Sequence, residues 1–210
     1  VGENLGRALA AVTKGTISST LSGLGIALPQ ARGAAADTGR IALLIKVLAT
    51  DSDAGVRRAA AWGLSEIHTA GARTALSHAL DSDADNQVRE MAAWALGEQG
   101  GGDALPSLAG ALAHDKSAQV RRTAAWALGE SGRRADADAL VSGLSDSDAD
   151  VRETSIWALG QVDLDRAPTT LINALSDTSP RVREITAWAL GQIGDTAAVR
   201  PLTRAFQSEA

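Results

Sequence analysis

The side chains of this sequence that could carry chemistry are three histidines, clustered aspartates and regularly spaced arginines. His68, His78 and His114 are the only histidines, and no two of them share a helical spacing or a His-Glu-x-x-His motif. The chain has no cysteine, which excludes thiolate metal sites, disulfides and a cysteine nucleophile. No glycine-rich loop of the phosphate-binding type is present. We therefore predict a protein that is not an enzyme, with no catalytic residues, no metal site and no cofactor.

Two aspartate-rich turns begin like calcium-binding loops but do not continue like them. The turn Asp81–Asp85 is followed by Asn86 where a calcium loop needs glycine, and its twelfth position is Ala92 instead of glutamate. The turn Asp146–Asp150 departs from the motif at the same two positions. We expect the aspartates and serines of these turns to cap helix N-termini, where their side-chain oxygens accept backbone N–H groups.

Charge and hydropathy exclude two classes of partner. The 210 residues include 20 Lys and Arg against 25 Asp and Glu, a net charge of −5, so the chain lacks the positive field of a nucleic-acid binder. The longest weakly polar stretch, Thr16 to Leu28, has 13 residues and is too short to insert across a bilayer. The chain starts at Val1 without a basic leader segment, which we interpret as a soluble cytoplasmic fragment or a processed product.

Tryptophan recurs at a fixed period. Five of the six aromatic residues are Trp, and successive Trp are 32, 32, 31 and 31 residues apart. A Val-Arg pair before each Trp and an Ala-Leu-Gly run after it keep the same spacings, although the first run is Gly63-Leu64-Ser65. A fixed period of this length predicts a repeat array. The five residues are Trp62, Trp94, Trp126, Trp157 and Trp188.

Each repeat contains two helical stretches and no stretch of strand-like alternation. The second stretch, such as Val120–Glu130, follows an Asp/Ser-rich turn and ends near Gly132, which suits a capped helix. The sequence therefore predicts an all-α, right-handed α-solenoid of stacked antiparallel helix pairs. We expect an N-terminal cap or linker over residues 1–39 and the solenoid over 40–210. The predicted pairs cover 40–67, 72–99, 103–131, 135–162 and 167–193, and a capping helix covers about 196–207.

The repeated run Val-Arg-x-x-Ala-Ala-Trp-Ala-Leu-Gly-Glu, with its short Ala/Leu helix and Asp-Ser-Asp turn, resembles HEAT-type repeats. It is most similar to the short bacterial class related to phycobilin-lyase-like HEAT repeats, and the resemblance covers about residues 40–207. The resemblance implies that the second helices line a concave surface. It also implies a scaffold, an adaptor, a lyase-chaperone or a regulatory tail, and similar Trp-containing repeats occur as tails of some bacterial membrane metallopeptidases.

A helical wheel places each Trp away from the core of its own repeat. With about 100° per residue, Trp126 lies almost opposite the stripe of Val120, Ala124, Ala127 and Leu128. We therefore expect the five Trp to be partly exposed as a ladder along one face, long enough for about ten residues of extended peptide. In the alternative, each Trp lies flat over small residues of the neighbouring repeat, near Ala125 and Gly129, and both roles can hold at once. We expect the other glycines of the Ala-Leu-Gly runs mostly to follow or end helices as C-caps.

The residues beside the Trp column complete the predicted binding surface. Carboxylates predominate there, so we expect a protein or peptide partner with basic groups and not a phosphate backbone. The variation between copies at these positions is typical of a specific site and equally of a solvated face. In addition to the five Trp, the predicted partner-binding residues are Arg58, Glu90, Arg122, Glu153, Met91, Glu98 and Glu130.

The arginine of each Val-Arg pair lies at the edge of the core on the wheel. Each repeat also supplies an aspartate-rich turn, so we predict a ladder of Arg–Asp pairs along the stack. The function favoured by these features is a non-enzymatic scaffold or regulatory module that binds a protein segment along its second helices. The alternatives are an accessory subunit or chaperone of an enzyme, and a tail of a larger membrane metallopeptidase. A DNA-repair enzyme on a HEAT-like scaffold is disfavoured by the net negative charge.

Overall fold

The computed structural model describes residues 34–100 and 105–208, which contain helices and no strand. Short 3-10 turns at Arg134–Asp136, Ala174–Ser176 and Thr196–Ala198 extend or precede three of the helices. The helices are α1 (Ala34–Thr50), α2 (Ala54–Ser65), α3 (Ala70–Ser82), α4 (Asn86–Glu98), α5 (Leu105–His114), α6 (Ala118–Ser131), α7 (Ala137–Gly143), α8 (Ala149–Gln161), α9 (Thr169–Asn173), α10 (Pro180–Ile193) and α11 (Val199–Ser208).

The helices stack as five pairs, which confirms the solenoid predicted from the period. Each even-numbered helix from α2 to α10 packs on its own odd-numbered partner and on the second helices of the neighbouring pairs. The first helices contribute one leucine per repeat that is fully buried in four copies, namely Leu76, Leu108, Leu140 and Leu171. The core is therefore a continuous layer between the first and second helices, as expected when each repeat buries its apolar stripe against its neighbours.

Two boundaries differ from the sequence prediction. Helix α1 begins at Ala34, so residues 34–39, which were assigned to the N-terminal cap, belong to the first helix of the array. The remaining cap, residues 1–33, with its predicted short helix at Leu5, Leu9 and Val12, lies outside the described residues. None of the helices that the structure describes is long and apolar enough to cross a membrane.

Helix α11 is the first helix of an incomplete sixth pair. Its Leu202 follows Leu171 at the repeat spacing of 31 residues, and α11 packs against the 3-10 turn Ala174–Ser176 that extends α9. This is the position that the first helix of a further repeat would take. The predicted capping helix therefore covers the first-helix side of the last pair, while α10 has no second helix after it within the described residues.

The aspartate turns cap the second helices, as predicted. Asp85 Oδ1 accepts hydrogen bonds from the backbone N–H groups of Gln87 and Val88, and Asp148 and Asp53 act in the same way. These side chains replace hydrogen bonds that the first turn of a helix cannot make internally. No group of three or more metal-ligating side chains occurs in the described part of the chain.

A ladder of Arg–Asp pairs joins consecutive repeats, which confirms the sequence prediction. Arg121 Nε and Nη2 donate to the two carboxylate oxygens of Asp146 at 2.6 and 2.8 Å, and Arg121 Nη1 donates to the carbonyl oxygen of Asp115 at 3.0 Å. Each arginine thus joins the turn of its own repeat to the turn of the next. The bidentate pairs are Arg57–Asp83, Arg89–Asp115, Arg121–Asp146 and Arg152–Asp177.

The pairing controls the ionisation of the ladder carboxylates. Burial alone would raise the pKa of Asp146, but hydrogen bonds from Arg121 and from the Asp148 N–H outweigh burial and lower it. The pKa values of Asp83, Asp115 and Asp177 are also lowered by their arginines. A carboxylate whose pKa is lower in the folded state stabilises that state above its unfolded pKa, and this stabilisation is lost as the pH falls through the folded pKa.

We predict that Asp146→Asn lowers the free energy of unfolding by about 3 kcal/mol at pH 7, because Arg121 then loses its counter-charge in a largely buried position. The matched control is Asp165→Asn, which breaks the exposed Arg134–Asp165 pair and should leave the urea midpoint almost unchanged. Between pH 5 and pH 2 the stability of Asp146→Asn should fall less steeply than that of the wild type. Equal effects of the two substitutions would contradict a structural role for the ladder.

Candidate binding surface

The three central tryptophans are buried, contrary to the prediction of a partly exposed ladder. Trp94, Trp126 and Trp157 are 1%, 3% and 3% exposed. Trp62 and Trp188, in the first and last pairs, are half-buried. The Trp column is therefore closed along the middle of the array and accessible only towards its two ends.

The glycine three residues after each Trp admits the Trp of the following repeat. A methyl group placed at Gly97 would lie 2.8 Å from Cζ3 of Trp126 and 2.8 Å from Cβ of Ala127. At Gly129 it would lie 3.1 Å from Cζ3 of Trp157 and 2.7 Å from Cβ of Ala158. Such distances are shorter than van der Waals contact, so only glycine permits this approach of the two helices.

The same contact forms a third time and is missing at the end of the array. A methyl group at Gly160 would lie 2.6 Å from Cζ3 of Trp188, whereas one at Gly191 would have nothing within 4 Å. Gly191 stands at the same repeat position as the other three glycines. We call the surface depression at each of these four glycines the glycine notch. Three notches are filled by an indole ring, and the notch at Gly191 is open.

The helical wheel gave the correct direction of the Trp side chains but the wrong exposure. The wheel describes a helix with one buried side, and each second helix here contacts its own first helix and two neighbouring second helices. The signal for burial is the glycine in the Ala-Leu-Gly run, most of which were assigned to helix ends. The helix-ending glycines are others, Gly132 and Gly194, whose φ angles of 60° and 70° are left-handed.

The residue three before each Trp is also buried, so Met91 does not belong to a binding surface. Met91 is 3% exposed, and Thr123, Thr154 and Ile185 at the equivalent positions are buried too. This position lies between adjacent second helices and packs in the core. The prediction that Met91 contacts a partner is therefore wrong for the folded array.

The residues four before each Trp form a charged network at the surface. Arg58 Nη1 donates to Oε1 of Gln87, and Arg122 Nη1 lies 3.7 Å from Oδ2 of Asp150, in each case one repeat further along. Burial raises the pKa of Glu90, and the positive charges of Arg122 and Arg58 partly oppose the rise. Burial likewise raises the pKa of Glu153. Arg58, Glu90, Arg122 and Glu153 are half-buried, so most of their charge is already compensated within the array.

The residues four after each Trp form a second, fully exposed row that we call the carboxylate row. It consists of Glu66, Glu98, Glu130, Gln161 and Gln192. Burial raises the pKa of Glu130, and the negative charge of Glu98 raises it further. Glu98 and Glu130 therefore repel each other across adjacent repeats, and a cation placed between them would relieve this repulsion.

We predict opposite effects of one substitution at two equivalent positions. Gly129→Ala should lower the free energy of unfolding by about 1–3 kcal/mol, because the added methyl group forces α6 and α8 apart. Gly191→Ala should leave stability unchanged or raise it by about 0.5–1 kcal/mol, because alanine favours helix and the notch is open. Chemical denaturation of both variants measures the difference, and a destabilised Gly191→Ala or an unaffected Gly129→Ala would refute the packing described here.

The Trp residues should differ in their contribution to stability according to their place in the array. Trp157→Ala should lower the free energy of unfolding by about 3–5 kcal/mol, because it empties a buried site between two repeats. Trp62→Ala should cost clearly less, because Trp62 is half-buried. Thermal unfolding followed by circular dichroism compares the two, and equal losses would argue against the filled-notch geometry.

The chain matches a known repeat family over its helical array. Four overlapping stretches match the family of HEAT repeats: residues 41–129, 74–160, 107–177 and 137–210. No curated protein matches the chain.

Solved structures with the same architecture come from natural and designed proteins. A chain in the complex of CpcE and CpcF of phycocyanin lyase from Nostoc sp. PCC7120 is 25% identical with a TM-score of 0.64, over 82% of this chain and 70% of that chain. A designed armadillo repeat protein in complex with a (KR)4 peptide is 21% identical with a TM-score of 0.57, over 79% and 87% of the two chains. An engineered protein is 24% identical with a TM-score of 0.57, over 79% and 86%. Since the family match runs from residue 41 to residue 210, this right-handed α-solenoid belongs to the HEAT-repeat family.

Proposed function

We propose that this chain is a non-enzymatic scaffold that binds an extended protein segment along its second helices, through the carboxylate row. The observation that supports this most directly is the pair Glu98 and Glu130, two exposed carboxylates in adjacent repeats whose mutual repulsion raises the pKa of Glu130. A partner with basic side chains would neutralise this row. The Trp column contributes to this function by fixing the spacing of the row, since its central members are buried.

The spacing of the row fits an extended peptide. Packed helices lie about 8–10 Å apart, and an extended chain advances about 3.3 Å per residue. A basic residue at every third position of a peptide would therefore meet successive repeats. Two solved structures of this fold contain partners, a (KR)4 peptide with a designed armadillo protein and CpcF with CpcE. A cytoplasmic location remains part of the proposal.

The probe for this proposal is a fluorescent ten-residue peptide with lysine at every third position. Its anisotropy should show saturable binding that weakens as salt rises, because exposed charges are screened. The double substitution Glu98→Gln with Glu130→Gln should weaken binding at least fivefold. Binding should also weaken from pH 7 to pH 5, because the raised pKa of Glu130 lets this carboxylate take up a proton above its ordinary range.

The matched control removes two carboxylates from the first-helix side of the array. Asp81→Asn with Asp138→Asn gives the same change in net charge at exposed positions on α3 and α7. The control should keep the peptide affinity within twofold. If the control weakens binding as much as the Glu98 and Glu130 double variant, the attraction is general and the row is not a site. Absence of saturable binding by the wild type would also refute the proposal.

A second candidate is an accessory subunit of an enzyme. The observation that favours it is the likeness to a chain of the phycocyanin lyase complex, which at 25% identity extends over most of both chains. A bilin added to the purified chain should then change its absorbance spectrum in a saturable manner. An unchanged spectrum at every ratio of bilin to protein would leave the peptide-binding scaffold as the function.

A further inference from the structure

We infer that the open glycine notch at Gly191 is a docking site for an amphipathic helix of a partner protein, lying beside α10 with an aromatic residue seated in the notch. This site is at the end of the array and is separate from the carboxylate row. The inference therefore stands or falls independently of the proposed peptide binding.

The array itself shows what this notch accepts. At Gly97, Gly129 and Gly160 the notch receives the indole ring of the next second helix, and the small residue after that Trp packs beside the ring. The occupants at the first two notches are Trp126 with Ala127 and Trp157 with Ala158. A fitting ligand is therefore a helix parallel to α10 that carries a large aromatic residue followed by alanine.

The end of the array leaves room for such a helix. Gly191 is exposed, and a methyl group at this position would have nothing within 4 Å. Trp188, one turn earlier on α10, is half-buried, whereas the three central tryptophans are buried under the repeat that follows each of them. One more helix over α10 would cover Trp188 as well as fill the notch.

Helix α11 explains why a single helix completes this interface. It already occupies the place of a sixth first helix, against the 3-10 turn Ala174–Ser176. A second whole copy of the array in the same register would have to place its α1 where α11 lies. A lone amphipathic helix needs only the free place over α10, between the positions of the existing elements. This is the helix-in-groove mode of recognition, with the groove formed by the last pair of a solenoid.

The probe is a synthetic peptide with the sequence of residues 115–132, cross-linked on its exposed side so that it is helical. This segment forms α6 and already seats Trp126 in the notch at Gly97. Titrated into the chain labelled with ¹⁵N at its Trp indoles, the peptide should shift the Trp188 signal saturably and leave the Trp62 signal in place. The same peptide with Trp126→Ala should bind at least tenfold more weakly.

The variant Gly191→Leu should abolish the Trp188 shift by filling the notch, without loss of the fold, because leucine favours helix over glycine and the position is open. The matched control is Gly110→Leu on α5, also exposed and with nothing within 4 Å of an added methyl group, which should keep the full shift. No Trp188 shift, or an unchanged shift in Gly191→Leu, overturns the inference. A dimer of the chain alone that Gly191→Leu dissociates in sedimentation velocity would also overturn it, by assigning the notch to a second copy.

Discussion

The close approach of successive second helices is the constraint on which the rest of this structure depends. Helices with ordinary side chains at their contact lie about 8–10 Å apart, and here a glycine at one fixed position of each repeat lets backbone and indole approach more closely. Placed at Gly129, a methyl group would lie 2.9 Å from Cα of Ala158. Replacing glycine there would separate the helices and change the interval between every later repeat.

The Arg–Asp ladder applies the same interval at the opposite end of each second helix. Arg121 contacts the turn before its own helix and the turn of the next repeat, so its guanidinium sets the distance between them. A bidentate pair has a fixed geometry. Glycine and Trp near the C-terminal end of the helix and arginine near its N-terminal end thus hold two points per repeat. The exposed carboxylate row inherits its even spacing from these two contacts.

The sequence predicts most of this architecture but only part of the surface. The Trp spacing and the Val-Arg pairs fix the number of helix pairs, the capping aspartates and the ladder, because each depends on neighbours at known offsets. Exposure of Trp126 could not be derived from its own helix, because it depends on a glycine in the preceding repeat. Met91 was misplaced for the same reason. Glu98 and Glu130 were placed correctly at the surface, since four residues after the Trp the side chain points away from both neighbouring helices.

The account rests on the burial of the central tryptophans between repeats, and indole hydrogen exchange measures this without altering the chain. The Nε1 atoms of Trp94, Trp126 and Trp157 are buried, whereas Trp62 and Trp188 are half-buried. In a ¹⁵N-resolved spectrum after transfer to D₂O, three indole signals should persist long after the other two have vanished. Rapid loss of all five at similar rates would show an exposed column and contradict the packing of Trp into the glycine notches.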